Sequence, residues 1–169
     1  MTQRKSSVGD RSSEVAAAPV ELLSKEPSGS LTKVLIPIDL SDAAERAVRW
    51  VLKQPGKATK TLRVVLWREA GDGDAADLLR FLGRFGEQRH ALIHGQVFTG
   101  DERQLCTMIR TEEIEKIVVG VGDDAESETG ALAQSLARLC SCGVILVPRR
   151  EPVRELVRIA PEGARASGE

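Results

Sequence analysis

The segment Gly120-Val-Gly-Asp-Asp-Ala-Glu-Ser-Glu-Thr-Gly-Ala131 holds three glycines and four carboxylates, and it follows the apolar run Ile117-Val-Val-Gly120. Glycine backbone leading into a helix N-terminus is where α/β proteins hold a phosphate. The carboxylates of Asp123, Asp124, Glu126 and Glu128 oppose that use. Like charges about 4–6 Å apart cost on the order of one to a few kcal/mol per pair at a surface dielectric. A helix N-terminus returns only about 0.3–1 kcal/mol per charge. No Lys or Arg lies within the segment to offset the repulsion. Acidic side chains just before a helix suit its positive end and can cap its free amides. The loop is therefore expected to fill its own anion site and to hold no cofactor. ATP with magnesium bridging the two sets of oxygens is the alternative.

Four other groups carry chemistry-bearing residues. Asp39 ends the apolar run Lys33-Val-Leu-Ile-Pro-Ile-Asp39, where a carboxylate either meets a ligand or holds a neighbouring amide. Trp67 ends the run Thr61-Leu-Arg-Val-Val-Leu-Trp67, where it packs, plugs a pocket or stacks on a base. His90 and His94 flank a third run. Four strand residues separate them by roughly 13 Å, too far for one metal. Cys106, Cys140 and Cys142 are odd in number, with C-x-C spacing and no histidine near enough in sequence to complete a zinc motif. Buried thiols, and not a disulfide framework, are expected, with a redox role for Cys140 or Cys142 left open. Neither G-x-S-x-G nor a G-x-x-x-x-G-K-[ST] loop is present, so no enzyme is expected. A phosphoacceptor receiver domain would need an aspartate ending the third strand and a lysine after the fifth. Phe98-Thr99 and Pro148-Arg149 stand there.

These residues need elements to position them. Apolar runs of strand length fall at 33–39, 61–67, 90–98, 116–120 and 143–148. Between them lie helical patterns. Ser41-Asp-Ala-Ala-Glu45 opens the first, with Asp42 and Glu45 at capping-box spacing. Ala44, Ala47, Val48 and Val51 follow at i, i+3, i+4 and i+7. Leu78, Leu82 and Phe85 mark the second helix, Leu105, Met108 and Ile109 the third, Leu132, Leu136 and Leu139 the fourth. The alternation β-α-β-α-β-α-β-α-β argues for a parallel sheet covered on both faces. Residues 1–31, rich in Ser, Lys, Glu, Ala and Pro, are expected to be a disordered tail. Residues 149–169 are expected to be a second tail, with a short amphipathic helix over Val153, Leu156 and Val157. The domain proper is then 32–148.

The 169 residues, 41% hydrophobic, suffice for one sizeable core. A net charge of −1 favours neither nucleic acid nor an anionic membrane. No apolar run approaches the roughly 20 residues of a membrane helix, and the N-terminus carries no secretory signal, so a cytoplasmic location is expected.

Lys33-Val-Leu-Ile-Pro-Ile-Asp-Leu-Ser-Asp-Ala-Ala-Glu-Arg-Ala-Val-Arg-Trp50 resembles the opening strand, acidic turn and helix of the universal stress protein domain. Residues 112–148 resemble that domain's last strand–loop–helix–strand unit. The likeness spans about residues 32–148. It implies a five-stranded, doubly wound sheet of order 3-2-1-4-5, of the adenine nucleotide alpha hydrolase-like type. It implies a stress-response or regulatory role. It also implies a ligand pocket at the tips of the first and fourth strands, near Asp39, Trp67, Gly120, Gly122, Gly130 and Ala131. In nucleotide-binding members a motif G-x-x-G-x(9)-G-[ST] wraps the phosphates. Here Gly120 matches the first glycine, Asp123 stands at the second and Gly122 is out of register. Gly130 comes ten residues after Gly120 where the motif asks for thirteen, and Ala131 replaces the hydroxyl. The family's last strand pairs with its twin across a two-fold axis, which implies a homodimer centred on Val144, Ile145, Leu146 and Val147. The expected function is thus a dimer that acts by contacts with an unknown protein partner. A nucleotide switch or a weak ATPase of the same fold is the alternative.

Overall fold

The computed structural model describes residues 20–29, 31–67, 74–122, 128–150 and 152–159. The strands are β1 (Leu22–Lys25), β2 (Lys33–Ile38), β3 (Lys60–Trp67), β4 (Ala91–Phe98), β5 (Lys116–Gly120), β6 (Gly143–Val147) and β7 (Arg154–Arg158). The helices are α1 (Asp42–Lys53), α2 (Asp74–Gly83), α3 (Glu102–Thr111) and α4 (Glu128–Leu139). The sheet order is β1-β7-β6-β5-β2-β3-β4. β4, β3, β2, β5 and β6 are mutually parallel and reproduce the expected 3-2-1-4-5 order. β7 and β1 extend that sheet antiparallel, so it has seven strands instead of five.

The central strands are apolar on both sides because both faces are covered. Val34, Ile36 and Ile38 of β2 pack with Ala44, Ala47, Val48 and Val51 of α1 and with Leu78 and Phe81 of α2. Leu35 points the other way, into a core with Leu105, Cys106 and Ile109 of α3 and Ala133, Leu136 and Ala137 of α4. All four α1 positions read from the sequence are buried. In α4 the buried stripe runs through Ala133, Leu136 and Ala137, and Leu139 is 45% exposed. Small residues face the sheet there, so a count of large apolar residues misplaces the stripe.

Helix caps also differ from expectation. Ser41 is the N-cap of α1 and accepts from the Ala44 N–H at 3.3 Å. Glu45 instead faces Arg49 and Arg84. A reciprocal capping box does form at α3, between Asp101 and Gln104.

Both terminal segments require correction. Leu22–Lys25, placed by sequence in a disordered tail, is β1, and Arg154–Arg158, read as a helical turn, is β7. Val153, Leu156 and Val157 fit helical spacing. What overrides that spacing is pairing: Ile145 faces Glu155 on one side of β7, and Lys25 faces it on the other. The Glu155 side chain is fully buried. It is ion-paired with Lys116 and accepts from the Ser28 N–H at 3.0 Å. A buried carboxylate in mid-strand breaks the apolar–polar alternation by which a strand is read. The consequence reaches β6. β6 does not form the sheet's free edge, because β7 lies along its Val144, Ile145 and Leu146.

Candidate functional site

The switch point of the parallel order falls between β2 and β5, where ligands settle in doubly wound sheets. Their register covers only Val34 with Lys116 and Leu35 with Ile117. Further along, Pro37 has no N–H to give to a ladder. The tips of the two strands thus run on without paired register, toward Asp39 on one side and Gly120 on the other.

Asp39 is exposed, and its Oδ1 accepts from the Ser41 N–H at 3.1 Å and from the Ser41 hydroxyl. This is the amide-holding role of a strand-end carboxylate. Leu40, between them, has φ of 67°. A left-handed backbone at a non-glycine residue costs roughly 1–2 kcal/mol. Its side chain packs against the core that lies under α1. Burial of that side chain and the Asp39–Ser41 contacts together hold the turn.

The register of β2 with β3 runs to Ile38 opposite Leu66, so Asp39 and Trp67 stand level at the sheet's rim. Trp67 packs edge-to-face on Phe98, with centroids 6.2 Å apart. Its indole N–H donates to the Gly100 carbonyl at 2.7 Å. The polar end of the ring is therefore engaged, and packing is its observed role.

Gly120 has a backbone reason. A Cβ added there would lie 1.8 Å from the Ala43 carbonyl oxygen, at the start of α1. Only glycine lets the β5 tip approach α1 so closely. Gly122 follows, half-buried. Residues 123–127, including Asp123, Asp124 and Glu126, lie outside the described residues. Gly130 and Ala131 fall within the first turn of α4, not ahead of it.

Arg46 is the site residue that sequence reading missed. Reached from α1, its Nη2 donates to the Val121 carbonyl at 2.7 Å. Its buried Nε has no hydrogen-bond partner among the described residues. A guanidinium thus stands where the loop leaves β5, although no cation lies within the loop itself. Arg46 lies off the apolar stripe of Ala44, Ala47, Val48 and Val51, and no local signal links it to residue 121.

The cysteines also depart from expectation. Cys106 of α3 and Cys140, just beyond α4, form a disulfide with Cα atoms 5.6 Å apart. Cys142 is free and half-buried. Spacing could not reveal a pair 34 residues apart. Only the packing of α3 beside α4 brings the two together. Among the described residues, no group of three or more His, Cys, Asp or Glu stands placed to hold a metal. None of the described helices is long and apolar enough to cross a membrane.

No protein-family model matches the chain, and no curated protein matches it. Solved structures do. One is a universal stress protein in complex with cAMP, 19% identical, with a TM-score of 0.53 over 70% of this chain and 98% of the other. Another is a universal stress protein family protein from Arabidopsis thaliana with AMP bound, 18% identical, with a TM-score of 0.52 over 70% of this chain and 92% of the other. The chain has the α/β fold of the universal stress proteins, with two antiparallel strands added at one edge.

Proposed function

We propose that this chain is a universal-stress-protein-like regulatory protein of the stress response, acting in the cytoplasm through contacts with other proteins, and that its switch-point crevice does not hold ATP. One observation carries the reading: residues expected to line the crevice already serve the fold. Asp39 holds Ser41, Trp67 holds Gly100 and Gly120 seats the strand tip on Ala43. The four loop carboxylates oppose a polyanion by the charge argument above. No catalytic step is part of the proposal. A twin strand along β6 is not part of it either, because β7 occupies that position.

A second reading rests on Arg46. Its guanidinium at Val121 suits one phosphate group better than three, because a monophosphate brings fewer charges to the acidic loop. The similar structures carry cAMP and AMP. Calorimetric titration with ATP plus magnesium, AMP and cAMP separates the readings. No measurable heat with any of the three is the expected result. Micromolar affinity for ATP would overturn the proposal. Affinity for AMP or cAMP alone, lost in Arg46→Met, would establish the second reading.

A further inference from the structure

We propose that Cys106, Cys140 and Cys142 form a thiol–disulfide exchange site. In this site the Cys142 thiolate attacks the Cys140 sulfur and frees Cys106. The three cysteines line one cavity of about 410 Å³, bounded by α3, the end of α4 and β7. Two of them are already bonded, and the third is a free thiol two residues along the chain. Residues i and i+2 stand at most about 7 Å apart at their Cα atoms. That span is close to the upper end of what a disulfide bridges. Cys142 is therefore always near Cys140, whatever α3 does.

The step balances without an external oxidant. The Cys142–Cys140 bond forms as the Cys140–Cys106 bond breaks. Cys106 leaves as a thiolate and takes a proton from water. One disulfide and one thiol stand on each side. Its structural effect is to release α3 from the end of α4, while the Ser135 hydroxyl, farther back in α4, still donates to Glu102 at the start of α3. A disulfide in a reducing compartment is more often redox-responsive than structural, which suits a bond with a third cysteine beside it.

The charged groups around Cys142 are Lys116 of β5, Glu155 and Arg158 of β7, Arg110 near the end of α3, and Glu113 in the turn beyond it. Loss of solvent pushes the Cys142 thiol up. Its own backbone amide and the Lys116 ammonium pull it down less strongly. Little thiolate exists at neutral pH, and the thiolate is the attacking species. Exchange is thus slow at pH 7 and speeds up about tenfold per pH unit toward the thiol's pKa.

The full chain is held in oxygen-free buffer with a metal chelator at pH 7, 8 and 9, then acid-quenched, alkylated and mapped by peptide mass spectrometry. The expected result is one alkylated cysteine per chain, shifting from Cys142 to Cys106 with time and faster at higher pH. In Cys142→Ser, Cys106 should stay unlabelled. Label confined to Cys142 at every pH would overturn the proposal, as would three labelled cysteines at the start. Label on Cys140 would overturn the choice of attacked sulfur. Labelling of Cys106 in Cys142→Ser would show that its release does not need Cys142, and would end the proposal too.

Discussion

The two margins of the sheet are built in opposite ways. β4 closes one side with eight residues, and its Leu92 is 56% exposed. Three strands lie beyond β5 on the other side, the outermost only four residues long. A long unpaired edge invites pairing, whereas a short edge carrying lysine discourages it. Lys25 stands on β1, and Arg154 of β7 donates to both the Ser24 hydroxyl and the Ser24 carbonyl. The side of the sheet that would otherwise expose Val144–Val147 is thus closed by the chain itself. The lesson concerns β6: an apolar last strand signals that something must cover it, but not whether the cover is a twin or the chain's own terminus.

The charge pairs on the two sides differ as much as the strands. On the closed side, Glu155 is fully buried, with Lys116 17% exposed at its side chain. Removing one partner of a buried pair costs about 3–5 kcal/mol, because the other charge is left uncompensated. Glu155→Ala should therefore lower stability by that amount in urea denaturation. It should also raise hydrogen exchange across Leu22–Lys25 and Arg154–Arg158 before the rest of the sheet. With β7 loosened, light scattering after size exclusion should show dimers in the variant and monomers in the parent at micromolar concentration. A parent that is already a dimer would mean that another surface pairs the chains.

Two glycines sharpen the contrast at smaller scale. A Cβ on Gly143 would sit 2.1 Å from the Glu155 carboxylate, itself held by Lys116 and Ser28. On Gly95 of β4 it would meet a Leu82 methyl at 2.5 Å. Crowding a fixed buried group costs roughly 1–3 kcal/mol. The tip of a half-buried leucine can move. Thermal denaturation should rank Gly143→Ala as the more damaging, with Gly95→Ala below about 1 kcal/mol. Equal losses would mean that the open side is as rigid as the closed one.

How much of this the sequence disclosed depends on the range of the interactions. The five parallel strands, the buried stripe of α1 and the switch point were legible because each rests on short periodicity and on β-α alternation. Asp39 and Trp67 were legible in place, and for each the observed role, holding an amide and packing, was one of the readings left open; the N-cap role of Ser41 was not read. Residues joined by long-range pairing were not. Arg46 meets Val121 across 75 positions, Cys106 meets Cys140 across 34, and Ser28 meets Glu155 across 127. No local pattern encodes such contacts. β7 was misread because its strand character comes from β6 and β1, and Glu155 in its middle looks like a surface residue.

The weakest expected effect belongs to the helix layer, at an ion pair between α1 and the end of α2. Glu45 of α1 is bridged by Arg49 at 2.7 Å and by Arg84, just past α2, at 3.0 Å, with its side chain 25% exposed. The Arg49 hydrogen bond and, after it, the Arg84 hydrogen bond and the charges of both arginines hold the Glu45 carboxyl below its usual value, against partial desolvation. A carboxyl with a lowered folded-state pKa contributes stability above its unfolded pKa and loses it as pH falls through the folded one. The Glu45 contribution is therefore complete at neutral pH and fades as pH drops below about 4–5. Such exposed pairs contribute about 0–1 kcal/mol, and salt screens them. Glu45→Gln should cost that little at pH 7, less in high salt, and progressively less as pH falls through the lowered folded-state pKa. The Glu155→Ala loss should survive the salt that erases it, since a buried pair is screened far less. If added salt shrank both losses alike, the Glu155 pair would be solvated, and the closed side would owe its hold on β7 to backbone pairing alone.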